Sequence, residues 1–271
     1  MDHDRVLGEI LRWAAEEENV RAVVLTGSAA LGPEFLDDLS DLDVELYAND
    51  PSRLLGETAW YEQFGEVLAV EALLNPGWWP TRLVQYVGGK VDFMVGPVDA
   101  LGTAPYHRRF RVLLDKDKLA EDLPRDEKPE EPPVAAAFEE CTNLFYSAVL
   151  MCAKCVVRDE PWLAKLRDWD AKQQLLAMIE WDHKARHGWS YETWYNGKNL
   201  QNWADADVRA ALGQCWGPFE LSETADALIE TVALFETLSS RTARVLGLEK
   251  PDTSRVRAEL RGILARADRH P

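Results

Sequence analysis

Apolar positions recur along this chain with two different periods, and the change of period divides it. Through about residue 115 the runs are short, continuous or alternating, as strands are, over 21–26, 44–47, 66–71, 83–87, 91–95 and 111–114. The segments 83–87 and 91–95 bracket Gly88-Gly89-Lys90, which reads as a hairpin turn. Helical spacing intervenes over 4–18, where Val6, Ile10, Leu11 and Trp13 share a face against many acids, and over 52–63. Beyond residue 133 the pattern becomes helical almost throughout, over 134–158, 168–187, 205–215, 222–246 and 253–267, with Gly247 a helix-ending residue and Pro251 a stop after it. Between the two regions, 121–133 is charged and rich in proline, which holds a chain extended and denies it a core, so a linker is expected there. The predicted class is α+β: a mixed β-sheet flanked by helices over 1–125, followed by a helical bundle over 134–271.

Two of the strand signals carry chemistry. Val23-Val24-Leu25-Thr26 runs into Gly27-Ser28, a strand entering a tight turn, and after a short loop comes Ser40-Asp41-Leu42-Asp43-Val44. In a strand, residues i and i+2 share a face about 7 Å apart, so Asp41 and Asp43 are expected side by side while Leu42 and Val44 enter the core. Two carboxylates about 4 Å apart repel by roughly 4 kcal/mol at an effective dielectric near 20, so the pair calls for a cation. Mg²⁺ suits it, because that ion takes one or two carboxylates and completes its shell with water and phosphate oxygens. A two-metal phosphoryl transfer usually adds a third acid, and Asp92, alternating with Val91 and Phe93, is well placed to be it.

Composition narrows the partners. Thirty Lys and Arg against 47 Asp and Glu leave a net charge of −17 over 271 residues. With no basic run in sight, such a chain repels nucleic acid and favours small or cationic partners. No signal peptide and no apolar run approaching the roughly 20 residues of a bilayer span are read, so a soluble, cytoplasmic protein without a membrane partner is expected. Cys152 and Cys155 have redox or zinc spacing, but they fall inside an apolar helical segment with no second pair. They are read, with Cys141 and Cys215, as reduced structural thiols. His183 and His187 stand at i, i+4 on a helix with Lys184 where a metalloprotease places its Glu, and are read as surface histidines. The Gly-x-Ser-x-Gly elbow of serine hydrolases and the Gly-x-x-x-x-Gly-Lys-Ser/Thr phosphate loop are both absent.

Strand, Gly-Ser, loop and Asp-x-Asp in that order resemble the signature of the nucleotidyltransferase superfamily related to DNA polymerase β. Further runs narrow the resemblance. Lys90-Val91-Asp92, 112–117, 138–143, 158–160, Leu176-Ala177-Met178-Ile179-Glu180-Trp181 and Gly197-Lys198-Asn199-Leu200 look like the aminoglycoside 6-adenylyltransferases that modify streptomycin, over nearly the whole chain. The resemblance implies Mg²⁺-dependent transfer of AMP from ATP to a hydroxyl of a small cationic aminoglycoside, with release of pyrophosphate. It implies that Gly27 and Ser28 hold the triphosphate, and that Asp41, Asp43 and Asp92 ligate two Mg²⁺ ions, Asp92 also serving as proton acceptor. Lys154, Arg158 and Lys198 match basic positions expected to neutralise the phosphates, and Glu180 with Trp181 matches a position for the cationic acceptor.

Two departures bear on the acceptor. Where the family typically reads Cys-Asn-Glu-Phe-Trp-Trp, this chain reads Thr142-Asn143-Leu144-Phe145-Tyr146-Ser147, and where Arg commonly follows Gly-Ser it has Ala29. An acceptor other than an aminoglycoside, or a nucleotide- or partner-binding protein that has lost turnover, are the alternative readings. Acidic and indole residues of the second half, among them Trp162, Trp169, Trp189, Trp194 and Trp203, suit a protonated amino-sugar. Most of these indoles are nonetheless expected to build the bundle core.

Overall fold

The computed structural model describes residues 2–74, 79–103, 109–121, 123 and 130–266. The chain divides into two compact units, Met1–Lys128 and Pro129–Pro271. Most of the expected linker, at 122 and 124–129, lies outside the described residues.

The first unit is a six-stranded sheet with helices. Its elements are α1 (His3–Glu16), β1 (Val20–Thr26), α2 (Gly27–Leu31), β2 (Leu42–Ala48), α3 (Pro51–Gly56), α4 (Ala59–Glu62), β3 (Val67–Leu73), β4 (Thr81–Tyr86), β5 (Gly89–Pro97) and β6 (Arg111–Asp115). Asp2 caps α1 by accepting from the Arg5 N–H at 3.0 Å, and Val6, Ile10 and Ala14, spaced by one turn, turn its apolar stripe to the sheet. The helix expected over 52–63 is two short ones, α3 and α4, broken at Glu57 and Thr58. The strand order is β3-β4-β5-β2-β1-β6, antiparallel except for the parallel β2–β5 pair at the centre. The turn joining β4 to β5 is Val87-Gly88, with Gly88 at φ +87°, so Lys90 stands inside β5 and not in the turn. One face of the sheet is covered by α1, α3 and α4, where Trp60 stacks on Trp13 at 5.2 Å and meets Phe93 edge-on at 4.9 Å. The other face carries a smaller cluster around Tyr47 and Leu101.

The second unit is helical: α5 (Ala135–Val157), α6 (Pro161–His187), α7 (Leu200–Trp203), α8 (Ala206–Leu212), α9 (Leu221–Leu246) and α10 (Ser254–Leu264). α6 begins seven residues before its expected start, because Pro161 occupies the first turn, where a missing N–H costs nothing. Gly247, at φ +67°, ends α9 as expected. Phe145 and Phe235 stack at 3.7 Å in the centre of the core. The expectation that most indoles fill this core is corrected: of the five named above, Trp203 alone is buried, and Trp162 and Trp169 are exposed, because Phe, Leu, Met and Cys side chains already fill the interior. α5 is by length and composition apolar enough to span a bilayer, but 56% of its apolar window is buried against the rest of the bundle.

Candidate active site

The parallel β2–β5 pair sets Asp43 directly beside Asp92, and antiparallel β1 sets Thr26 beside Asp43 on the other side. Leu42 and Val44 of β2, and Val91 and Phe93 of β5, are buried on the opposite face, so alternation aims Asp43 and Asp92 the same way. Asp41 precedes β2 at the end of a loop that is tied down locally. Asp37 accepts from the Leu39 N–H and the Ser40 hydroxyl, and His3 meets the Ser40 carbonyl at 2.7 Å. The three predicted acids therefore come together at one end of the sheet.

Lys90, two residues before Asp92 on the same face of β5, lies between them. Its Nζ is 2.9 Å from Asp41 Oδ2 and 3.1 Å from Asp92 Oδ2. Burial pushes the Asp92 carboxyl up to about 6 against the pull of Lys90, and Asp43 and Asp41 push it further the same way. Its Oδ1 is buried without a hydrogen-bond partner, which is the condition of an oxygen that awaits a cation or a proton. Gly27 closes over Asp43. It has φ +63°, and a Cβ built there would lie 1.9 Å from Asp43 Oδ2, so only glycine permits this approach. Donor set, orphaned oxygen and close backbone approach all fit a hard divalent cation such as Mg²⁺. Ser28 follows Gly27 in the first turn of α2, half-buried, while Ala29 is buried in the sheet core.

The second-unit candidates do not form one group. Trp181 stacks on Phe138 at 6.4 Å, which sets Glu180 and Trp181 beside the start of α5. Lys154 and Arg158 sit exposed at its end, sixteen or more residues on, so about 24 Å separates the two sets along the helix. Lys198 belongs to the Glu180 end, since its carbonyl accepts from Trp203 Nε1 and neighbouring Gly197 packs on Leu176 of α6; its Nζ lies 5.5 Å over the Trp194 ring. Lys154 and Arg158 thus cannot neutralise the same phosphate as Lys198. Glu180 is raised to about 7 by burial, with the nearby Lys184 ammonium lowering it and Glu130 raising it. Leu144, at the position of the family's acid, is half exposed on α5.

The profile of the streptomycin adenylyltransferase family matches residues 2–260. The chain belongs to that family. It is 22% identical over 254 residues to an aminoglycoside 6-adenylyltransferase of Campylobacter jejuni, covering 89% of this chain and 88% of the relative. To the aminoglycoside 6-adenylyltransferase of Bacillus subtilis strain 168 it is 24% identical over 257 residues, covering 89% and 90%. A crystal structure of an aminoglycoside 6-adenyltransferase from Bacillus subtilis superposes with a TM-score of 0.50 at 20% identity, over 96% of this chain and 98% of that one, and agrees in fold. As a member of the streptomycin adenylyltransferase family the chain is a nucleotidyltransferase.

Within that family frame, Lys90 is the site residue that motif reading passed over. Its i, i+2 spacing from Asp92 was visible, but the neighbouring Gly88-Gly89 drew it into the turn. The four cysteines are free and buried, with burial pushing Cys141 and Cys152 up to about 12, as inert structural thiols require. His183, read from sequence as a surface residue, is instead buried.

Proposed function

We propose that this protein transfers the adenylyl group of ATP to a hydroxyl of an aminoglycoside, streptomycin being the first acceptor to test, and releases pyrophosphate. The observation that supports it best is the convergence of Asp41, Asp43 and Asp92 beneath a glycine that tolerates no side chain. Gly27 and Ser28 would receive the triphosphate, because the chain turns there into α2, whose first-turn N–H groups have no partner within the helix. Asp41, Asp43 and Asp92 would hold Mg²⁺, which supplies charge neutralisation at the phosphates when bound. The acceptor oxygen attacks the α-phosphorus, the bond from that phosphorus to the bridging oxygen of pyrophosphate breaks, and the hydroxyl proton passes to Asp92. In the metal-free site burial raises that carboxyl to about 6, so at neutral pH it is mostly ionised and able to take a cation or a proton. Glu180 and Trp181 form the acceptor-side candidate group in the helical unit, Glu180 meeting a protonated amine or guanidine, with Lys198 at the same end as the candidate for neutralising a phosphate. Lys154 and Arg158, at the far end of α5, lie about 24 Å along the helix from this group and are not part of it.

The test is release of pyrophosphate from ATP and Mg²⁺ in the presence of a panel of aminoglycosides that includes streptomycin. Turnover with at least one acceptor, abolished by Asp41→Asn and Asp43→Asn, is expected. Turnover that survives both substitutions overturns the mechanism, and silence across the panel overturns the acceptor class.

A further inference from the structure

The end of α6 brings His183 and His187 together with Asp205, the residue that precedes α8. Their nitrogen and carboxylate atoms all lie within 4.8 Å of one another. Asp205 Oδ1 is 3.8 Å from His183 Nδ1 and 3.4 Å from His187 Nε2. A tetrahedral Zn²⁺ with bonds of about 2.0–2.2 Å to nitrogen and oxygen spaces its ligands by about 3.4 Å.

His183 is the observation that points to a ligand. It is 4% exposed, and both ring nitrogens are buried without a hydrogen-bond partner. An imidazole in this condition has lost its water and gained nothing, which costs on the order of 1–3 kcal/mol unless something binds it. Its surroundings keep it neutral, with a free lone pair: burial lowers its proton affinity, and His187 and Arg186 lower it further against the opposing pull of Asp205 and Asp182. Tyr191 and Trp203 pack on its ring at 4.5 and 5.3 Å and hold its plane. Asp205 stands at the N-cap of α8 but makes no side-chain cap bond, so its carboxylate is directed at the histidines and not at the helix.

The local charges admit a cation. Asp182, Asp205 and Asp207 face Arg186 and Arg241, three carboxylates against two guanidiniums. Arg186 pairs with Asp205 Oδ2 and reaches His187 Nε2 at 3.5 Å, so it is the group that a metal displaces from His187. Oδ1 of Asp205 remains for the metal. Two imidazoles and one carboxylate form a borderline donor set that selects Zn²⁺ over Mg²⁺, and three protein ligands leave the fourth position to water.

We propose that His183, His187 and Asp205 form a Zn²⁺ site that staples the end of α6 to the start of α8. It involves none of the sheet acids and stands or falls independently of the proposed reaction.

The full-length chain, stripped with a chelator and dialysed into Mg²⁺-containing buffer, is titrated with Zn²⁺ against a chromophoric competitor, with Co²⁺ as the spectroscopic probe. One equivalent is expected to bind per chain, to raise the melting temperature and to give the intense visible absorption of tetrahedral Co²⁺. His187→Gln, at an exposed position where folding is retained, and Asp205→Asn should each weaken binding by at least about tenfold, in the range typical of disturbed metal sites. Asp41→Asn should leave this site unchanged. Absence of a stoichiometric site, binding undiminished in His187→Gln, or loss of the site in Asp41→Asn overturns the proposal.

Discussion

Replacing Gly27 by alanine separates the fit of the acidic site from the stability of the sheet that carries it. The new Cβ falls 1.9 Å from Asp43 Oδ2 and 2.7 Å from its Cγ, whereas real Cβ atoms essentially never come within 3.0 Å of such neighbours. Asp43 must therefore retreat by at least about 1.1 Å, or the backbone must move instead. The residue also sits at φ +63°, where a side chain costs about 1–2 kcal/mol. The three heavy atoms nearest the built atom all belong to Asp43, so the clash falls first on that carboxylate. Displacing a catalytic group by about 1 Å lowers turnover on the order of 10²-fold. Gly27→Ala is thus expected to reduce pyrophosphate release about 10²-fold, with unit stability falling only by the strain figure above, measured by thermal melting. Gly8→Ala is the control. It lies inside α1 with open space around it, and should stabilise by about 0.5–1 kcal/mol without touching activity. A Gly27→Ala enzyme that turns over within threefold of the parent refutes the reasoning, because the close approach would then have no bearing on the site.

Four further outcomes are expected. In the metal-free chain the Asp92 carboxyl titrates near 6; since this lies above its ordinary value of 3.8, its contribution to stability is complete below that value and lost as pH rises through 6. Lys90→Met, by removing the ammonium that opposes the rise, should move that midpoint higher in carboxyl-labelled NMR, and an unmoved midpoint contradicts the bridging role. Glu180 should titrate near 7 by the same measurement, and Lys184→Met should raise it; a value near 4.5, or a midpoint that Lys184→Met leaves unmoved, contradicts the burial and the Lys184 contact that set it. Arg241→Met should destabilise the helical unit by about 2–3 kcal/mol, because Asp182, 1% exposed, loses two charged hydrogen bonds at 2.6 and 2.7 Å and keeps those from Arg186; a melting curve that does not move refutes this. Leu144→Glu, at a half-exposed position on α5, should cost less than about 0.5 kcal/mol and extend the acceptor range in the same panel, and an unchanged panel assigns that position no part in recognition.

The sheet was legible because each strand carries its own period, and all six expected strands occur, with ends displaced by no more than two residues. What periodicity could not give was the neighbour of each strand. Asp41 and Asp43 share a strand, or nearly so, and their proximity follows from a two-residue spacing alone. The proximity of Asp43 to Asp92 depends on β2 and β5 lying parallel and in register, forty-nine residues apart in sequence, which only tertiary pairing decides. Family resemblance supplied that link where pattern could not. The short helices α2 and α7 escaped notice because four or five residues carry too little periodicity to register.

The helical half shows the opposite limit. Its helices were plain from spacing, yet which residues face inward was misjudged for the indoles and for His183. A long helix packed on several neighbours has no single polar face, so α6 buries Asp168, Lys172, Asp182, His183 and Lys184 along with its apolar residues. Such burial is affordable only with partners at hand. Lys172 has Asp168 and Thr231 at 2.6 and 2.9 Å, Asp182 has two arginines, and Lys184 has Glu130. His183 is the member of this series whose ring nitrogens have no such partner among the described residues, and that exception is what a composition or motif reading has no means of detecting. The same reasoning applies to Asp92 Oδ1 in the sheet. Arg82 Nη1, Arg167 Nε and Thr242 Oγ1 are also buried without a hydrogen bond, but Asp92 Oδ1 and the His183 nitrogens stand among other groups that can ligate a metal, and that company is what distinguishes them.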